Sequence, residues 1–169
     1  MAFLYGLVDA SRDERLYPWL AASQESRCLF EGKLDPAVAK VAPYIVRLRE
    51  GDVLLEAWRT GGAGQSWGIQ CVSELTLPAL RRHFRHFLQA KLPTGMVVLF
   101  RFYDPRVWRV YLPTCDRGEL GQWFKGVDEF RCEGLDGDVL RYILRANALD
   151  VSNLSYVIQH LKVLHDPLL

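Results

Sequence analysis

Short apolar runs alternate with stretches of helical periodicity along this chain through about residue 135, and that alternation constrains the fold more than any other feature. Leu4 to Val8 is an apolar run closed by Asp9 and Ser11, after which Leu16, Trp19 and Leu20 recur at helical spacing. Cys28 to Phe30 reads as a second short strand. Asp35 and Pro36 then place a capping carboxylate before a proline, the start of a short helix through Val41. Tyr44 to Leu48 is a strand between Pro43 and the Glu50-Gly51-Asp52 turn. Val53 to Thr60 is a helix that Gly61 and Gly62 end, because glycine accepts the left-handed backbone of a helix stop. Ser66 to Val72 follows as a strand.

The second half continues the pattern. Leu77 to Ala90 carries Leu77, Leu80, Phe84, Phe87 and Leu88 on one stripe, with Arg81, Arg82, Arg85 and His86 largely off it, and reads as a helix packed on a sheet. Met96 to Phe102 has the apolar continuity of a central strand. Asp104 and Pro105 repeat the cap-then-proline device and start a helix through Tyr111, Glu119 to Phe124 gives another helix, and Glu129 to Glu133 an edge strand. In the tail, Val139, Leu140, Ile143 and Leu144, then Leu154, Val157, Ile158, Leu161 and Leu164, predict two amphipathic helices. The expectation is an α/β fold: a central mixed sheet flanked by helices over residues 1–134, with Gly134 to Gly137 leading into a small helical C-terminal extension over 135–169.

Composition narrows the class further. Half the residues are hydrophobic and 24% charged, the mix of a globular protein with a core of its own. A net charge of +1 supplies no overall field toward nucleic acid or an anionic membrane. The N-terminus meets Asp9 before an apolar stretch of leader length and carries no leading base, and no uninterrupted apolar run is longer than Met96 to Phe100, so neither secretory export nor membrane insertion is expected. Cys28, Cys71, Cys115 and Cys132 are too scattered for a Cys-x-x-Cys site and suit reduced thiols in the cytoplasm.

Gly64-Gln65-Ser66-Trp67-Gly68 fits Gly-x-Ser-x-Gly, the turn that exposes a serine nucleophile between a strand and a following helix. Here a helix precedes and a strand follows, so the reading is a glycine-rich turn, with a small serine esterase using Ser66 as an alternative. The same glycines lack the Lys-Ser/Thr of a phosphate-binding loop. His83 and His86 lack a second ligand pair for a metal, and Asp128-Glu129 and Asp136 with Asp138 read as turn residues. Residues 77–110 hold seven Arg and Lys against one acid, while 113–140 hold seven acids against three bases. A nucleic-acid interface on Arg81, Arg82 and Arg85 is the other alternative, although the aromatics of that block follow core positions; contact with a protein partner, or internal pairing of the two blocks, explains the asymmetry more simply. No catalytic residue, metal or cofactor is expected.

Several strings go further. LYGLVDASRDERLYPWL, SRCLFEGKLDP, APYIVRL, EAWRTGGAGQSWGI and LRRHFRHFLQAKLPTGMVVLFRFYDPRVWRVYLPTC resemble, in that order, the type VI secretion effector chaperones, or adaptor proteins, over about residues 3 to 115. The resemblance implies a non-enzymatic bacterial cytoplasmic protein that binds a toxic effector and helps load it onto the VgrG spike. Many members carry a longer C-terminal lobe, to which cargo specificity is ascribed. The family's positions fall on Trp58, Arg59, Gly61, Gly62, Gly64, Trp67 and Gly68, and on Arg101, Phe102, Tyr103, Asp104, Pro105 and Arg106. Among residues for partner contact we take Trp58, Arg59, Gln65, Arg101, Tyr103 and Arg106, since Tyr, Trp and Arg combine area with multivalent hydrogen bonding. Leu154, Val157, Ile158 and Leu161 are expected to offer an apolar ridge or groove to an effector helix.

Overall fold

β1 (Phe3–Asp9) organises the molecule, because its residues alternate between two cores. A computed structural model describes residues 1–154. After β1 come α1 (Leu16–Ala22), β2 (Ser26–Cys28), α2 (Pro36–Ala39), β3 (Pro43–Leu48), α3 (Val53–Gly61) and β4 (Gly68–Ser73). They are followed by α4 (Leu77–Arg85), β5 (Gln89–Lys91), β6 (Val97–Leu99), α5 (Pro105–Tyr111), α6 (Arg117–Trp123), β7 (Glu129–Glu133), β8 (Val139–Arg145) and β9 (Ala148–Asn153).

Seven strands form one sheet in the order β2-β3-β1-β4-β7-β8-β9, and β5 and β6 form a separate two-stranded pair. Leu4 and Val8 of β1 join Leu16, Leu20, Leu54, Leu55 and Trp67 in the core under α1 and α3. Tyr5 and Leu7 point the other way, into an aromatic core with Phe84, Trp108, Trp123 and Phe130 supplied by α4, α5, α6 and β7, and Phe102 from the segment between β6 and α5. Period-two side-chain alternation in a paired strand requires this division. In the aromatic core Phe87 stacks on Trp123 with ring centroids 3.7 Å apart. The α/β class with helices on both faces is as the alternation of elements predicts.

Five details differ from expectation. Every strand pair is antiparallel, so the sheet is not mixed. β7 lies between β4 and β8 and is interior rather than an edge. The predicted helix from Leu77 ends at Arg85, and Gln89 to Lys91 is a strand; Phe87 and Leu88 keep the helical-looking pattern because they still reach the aromatic core. Met96 to Phe102 is not a central strand: only Val97–Leu99 is extended, and it pairs with β5 alone. Val139 to Leu144 is strand β8 rather than a helix. Leu140, Tyr142 and Leu144 pack on the aromatic core at every second position, and the β-branched and aromatic residues suit the open edge that β7 offers.

Gly134 to Gly137 accordingly forms the β7–β8 turn and not a linker, with the Gly134 amide donating to the Asp138 carbonyl at 2.8 Å. Of the second predicted tail helix, Val157, Ile158, Leu161 and Leu164 lie outside the described residues. All four cysteines are free thiols, and burial pushes the Cys132 thiol up to about 11.

Candidate protein-binding site

The C-terminal end of β1 is closed by an acid. Asp9 is 2% exposed and needs partners, since an isolated buried carboxylate is strongly disfavoured. Its Oδ1 accepts from the Ser11 amide at 3.0 Å and the Ser11 hydroxyl at 2.5 Å, and its Oδ2 accepts from the Arg101 guanidinium. Its own amide donates to the Trp67 carbonyl at 2.8 Å. Arg101 also lies 3.8 Å from Asp104 Oδ2.

Asp104 is the α5 cap that the Asp-Pro pair predicts. It accepts from the Arg106 amide at 2.9 Å, and from Arg106 Nε at 3.0 Å and Nη2 at 2.7 Å. Burial pushes the Asp104 carboxyl up, but the Arg106 hydrogen bonds and the charges of Arg106 and Arg101 outweigh that and hold it below its ordinary value. Two buried carboxylates are thus gripped by two arginines whose side chains remain 41% and 51% exposed. Tyr103 between them is buried, and burial pushes its phenol up to about 12.

The glycine loop joins the same region through Glu133 at the end of β7. One carboxylate oxygen accepts from the Gly64 amide at 2.9 Å, and the other from the Ser66 amide at 2.9 Å and the Ser66 hydroxyl at 3.1 Å. Gly64 and Ser66 both have positive φ, and their two amides, on either side of Gln65, meet one carboxylate while the Gln65 amide donates to the Gly62 carbonyl at 3.1 Å. The Glu133 carbonyl accepts from Arg109 of α5 at 2.6 Å, so a single residue ties the loop to the helix that Asp104 caps.

Beside this junction, α3 and the β7–β8 turn enclose a cleft of about 410 Å³. Trp58, Arg59, Gln70, Arg131, Glu133 and Leu154 are among its walls. Arg59 is held on Glu50 through two 2.7 Å contacts and on Glu56 at 3.3 Å, while Trp58 packs over Gly6, where an added Cβ would stand 2.9 Å from the indole.

The sequence-predicted residues therefore divide. Trp58, Arg59 and Leu154 line the cleft, Arg101 and Arg106 build the ion cluster, and Gln65 stands exposed on the loop, whereas Tyr103, expected at a partner surface, is 2% exposed because its ring packs in the aromatic core. Val157, Ile158 and Leu161 lie outside the described residues. Sequence reasoning missed Asp9 and Glu133. Asp9 was findable, since an acid directly ending an apolar run and followed by Ala-Ser has the form of a buried turn cap. Glu133 carries no local signal; its contacts span 67 and 69 residues.

Chemically, the arrangement fixes positions and presents charge. The Ser66 hydroxyl is spent on Glu133, and the His83 ring contacts the Trp123 carbonyl at 3.2 Å. On the basic helix, Arg81 donates to the Cys28 and Phe30 carbonyls and Arg85 pairs with Glu31. Among the described residues, no helix is long and apolar enough to cross a membrane.

Fold and site together define an α/β protein with a helix-flanked antiparallel sheet and an arginine-bearing surface beside a cleft. The chain belongs to a family described as a domain of unknown function, DUF4123, whose model matches residues 4–122. No curated protein and no solved structure matches it. The matched segment ends in α6, so β7, which carries Glu133, and the β7–β8 wall of the cleft lie beyond it.

Proposed function

We propose that this chain is a non-enzymatic cytoplasmic adaptor that binds a type VI secretion effector and helps load it onto the VgrG spike protein. Its membership of the DUF4123 family and the strings that resemble effector chaperones support this reading. The observation that carries it is convergence: the Asp9 string, the glycine loop and the Arg101–Arg106 string, far apart in sequence, are tied into one surface by Asp9, Asp104 and Glu133. Two arginines there are each anchored on a buried carboxylate while leaving outward donors for a partner. Anchoring lowers the ordering entropy lost on binding, as interface hot spots require.

Co-expression with a candidate type VI effector and a VgrG protein tests this. The expected result is a complex with the effector that weakens at least tenfold in Arg59→Ala combined with Gln65→Ala, while the melting temperature changes little. A wild-type chain that captures neither partner sinks the reading.

A further inference from the structure

The β5–β6 hairpin stands apart from the site above and does what a folded domain ordinarily avoids. Met96, Val97 and Leu99 are 60%, 57% and 49% exposed, and Leu92 at the turn is 41% exposed. The pairing also fixes where the backbone points. Phe100 donates to the Leu88 carbonyl at 2.7 Å and Leu92 to the Met96 carbonyl at 2.8 Å, with Ala90 opposite Val98 between them. In an antiparallel ladder the intervening residues turn their amides and carbonyls outward. Val97 and Leu99 therefore present an open edge, and among the described residues nothing pairs with it. The two edges differ: Gln89 and Lys91 blunt the β5 side, whereas β6 carries no charge.

Charge says what fits. Residues 75–103 contain no acid at all. Arg81, Arg85 and Arg101 are engaged internally, but the exposed Arg82, His86 and Lys91 have no anionic partner among the described residues. A second copy of the chain would set two hairpins against each other whose one charged residue is Lys91, with no acid on either to meet it. A two-stranded hairpin is marginal by itself, and a third strand would complete it.

We propose that β6 is a docking edge for an extended segment of another protein, with apolar side chains alternating along it and acidic residues at its ends, which pairs with Val97 and Leu99 as an added strand. This proposal does not depend on the adaptor reading. Should an effector bind the chain while the peptide below does not, only the docking edge fails; should the peptide bind β6 while no effector is captured, only the adaptor reading fails.

The test uses the full chain and a synthetic peptide, Glu-Val-Thr-Val-Thr-Val-Glu, followed by fluorescence anisotropy and by amide exchange at Val97 and Leu99. Both amides should exchange freely in the free chain and become protected at least tenfold with peptide. Leu99→Pro removes one outward N–H and spares the inward ladder, a position where proline is tolerated, and should weaken binding at least tenfold. Val97→Glu, at an exposed side chain, should do the same by charge repulsion. A peptide with its backbone N-methylated at alternate residues, and one with Lys in place of Glu, should bind at least tenfold more weakly. The proposal is overturned if the peptide does not bind, if both variants bind it normally, or if the Lys peptide binds as well as the Glu peptide. Protection of Val97 and Leu99 in the free chain would also overturn it, by showing the edge already covered by a second copy or by the chain's own residues.

Discussion

Leu4 to Val8 and Met96 to Leu99 are apolar runs of similar composition, yet one lies in a well-protected strand and the other in an exposed one. β1 is paired on both sides, and Leu7 and Val8 have no exposure, whereas β6 is paired on one side and exposes Val97 and Leu99. The difference lies in what surrounds each run. β1 finds two partner strands and a helical layer on each face, so burial of its side chains and its backbone reinforce one another. β6 follows a tight turn whose partner strand is three residues long, and the chain leaves it at Phe100 to enter the aromatic core. An apolar run thus records the capacity to be buried and not the fact of it.

The largest effect is expected where β1 meets β4. A Cβ on Gly68 would stand 2.0 Å from the Leu7 carbonyl oxygen, a backbone atom that cannot move without parting the central pair. Gly68→Ala should destabilise the fold by about 4 kcal/mol, read as a fall of roughly 10 °C in melting temperature. A variant that melts like wild type would mean that the central pair yields as readily as β6.

At the end of β1, Asp9→Ala should cost about 3 kcal/mol, because the Ser11 and Arg101 donors lose their acceptor; exposure of Arg101 places this at the low end for a broken buried pair. Urea unfolding measures it, and a loss under about 0.5 kcal/mol would show the acid to be ornamental.

Asp104 gives a pH-dependent contrast. Because its folded carboxyl titrates below the ordinary value, its stabilisation is fully present above that value and is lost as pH falls through the folded pKa. Asp104→Asn keeps a capping oxygen but not the charge, and should lower stability by about 1 kcal/mol at pH 7. The gap from wild type should close as pH falls through the folded carboxyl's lowered titration range. A gap that stays constant down to pH 2 would contradict the charge assignment.

The smallest effect belongs to β6. Val97→Ser should change stability by no more than about 0.5 kcal/mol, as for surface positions generally. A loss above about 2 kcal/mol would place Val97 in a core and erase the comparison with β1.

Much of the chain was legible locally. The Asp35-Pro36 and Asp104-Pro105 helix starts, the glycine-rich turn and the strands β1, β3 and β4 each follow from residues within a few positions of one another. Caps and turns are short-range hydrogen bonds, so sequence by itself determines them. The site was half legible: Arg101 and Arg106 sit beside their capping acid in the chain, whereas the acids that fix Arg101 and the glycine loop come from 92 and 67 to 69 residues away.

Tertiary structure decided the rest. Val139 to Leu144 satisfies helical and strand spacing alike, and only the unpaired edge of β7 selected the strand. Whether Met96 to Phe102 became a central strand or an exposed hairpin depended on which edge was free when the sheet closed, and β4 is already flanked by β1 and β7. Strand partners are chosen by competition among distant segments for backbone hydrogen bonds and core volume, and no local window of sequence contains the competitors.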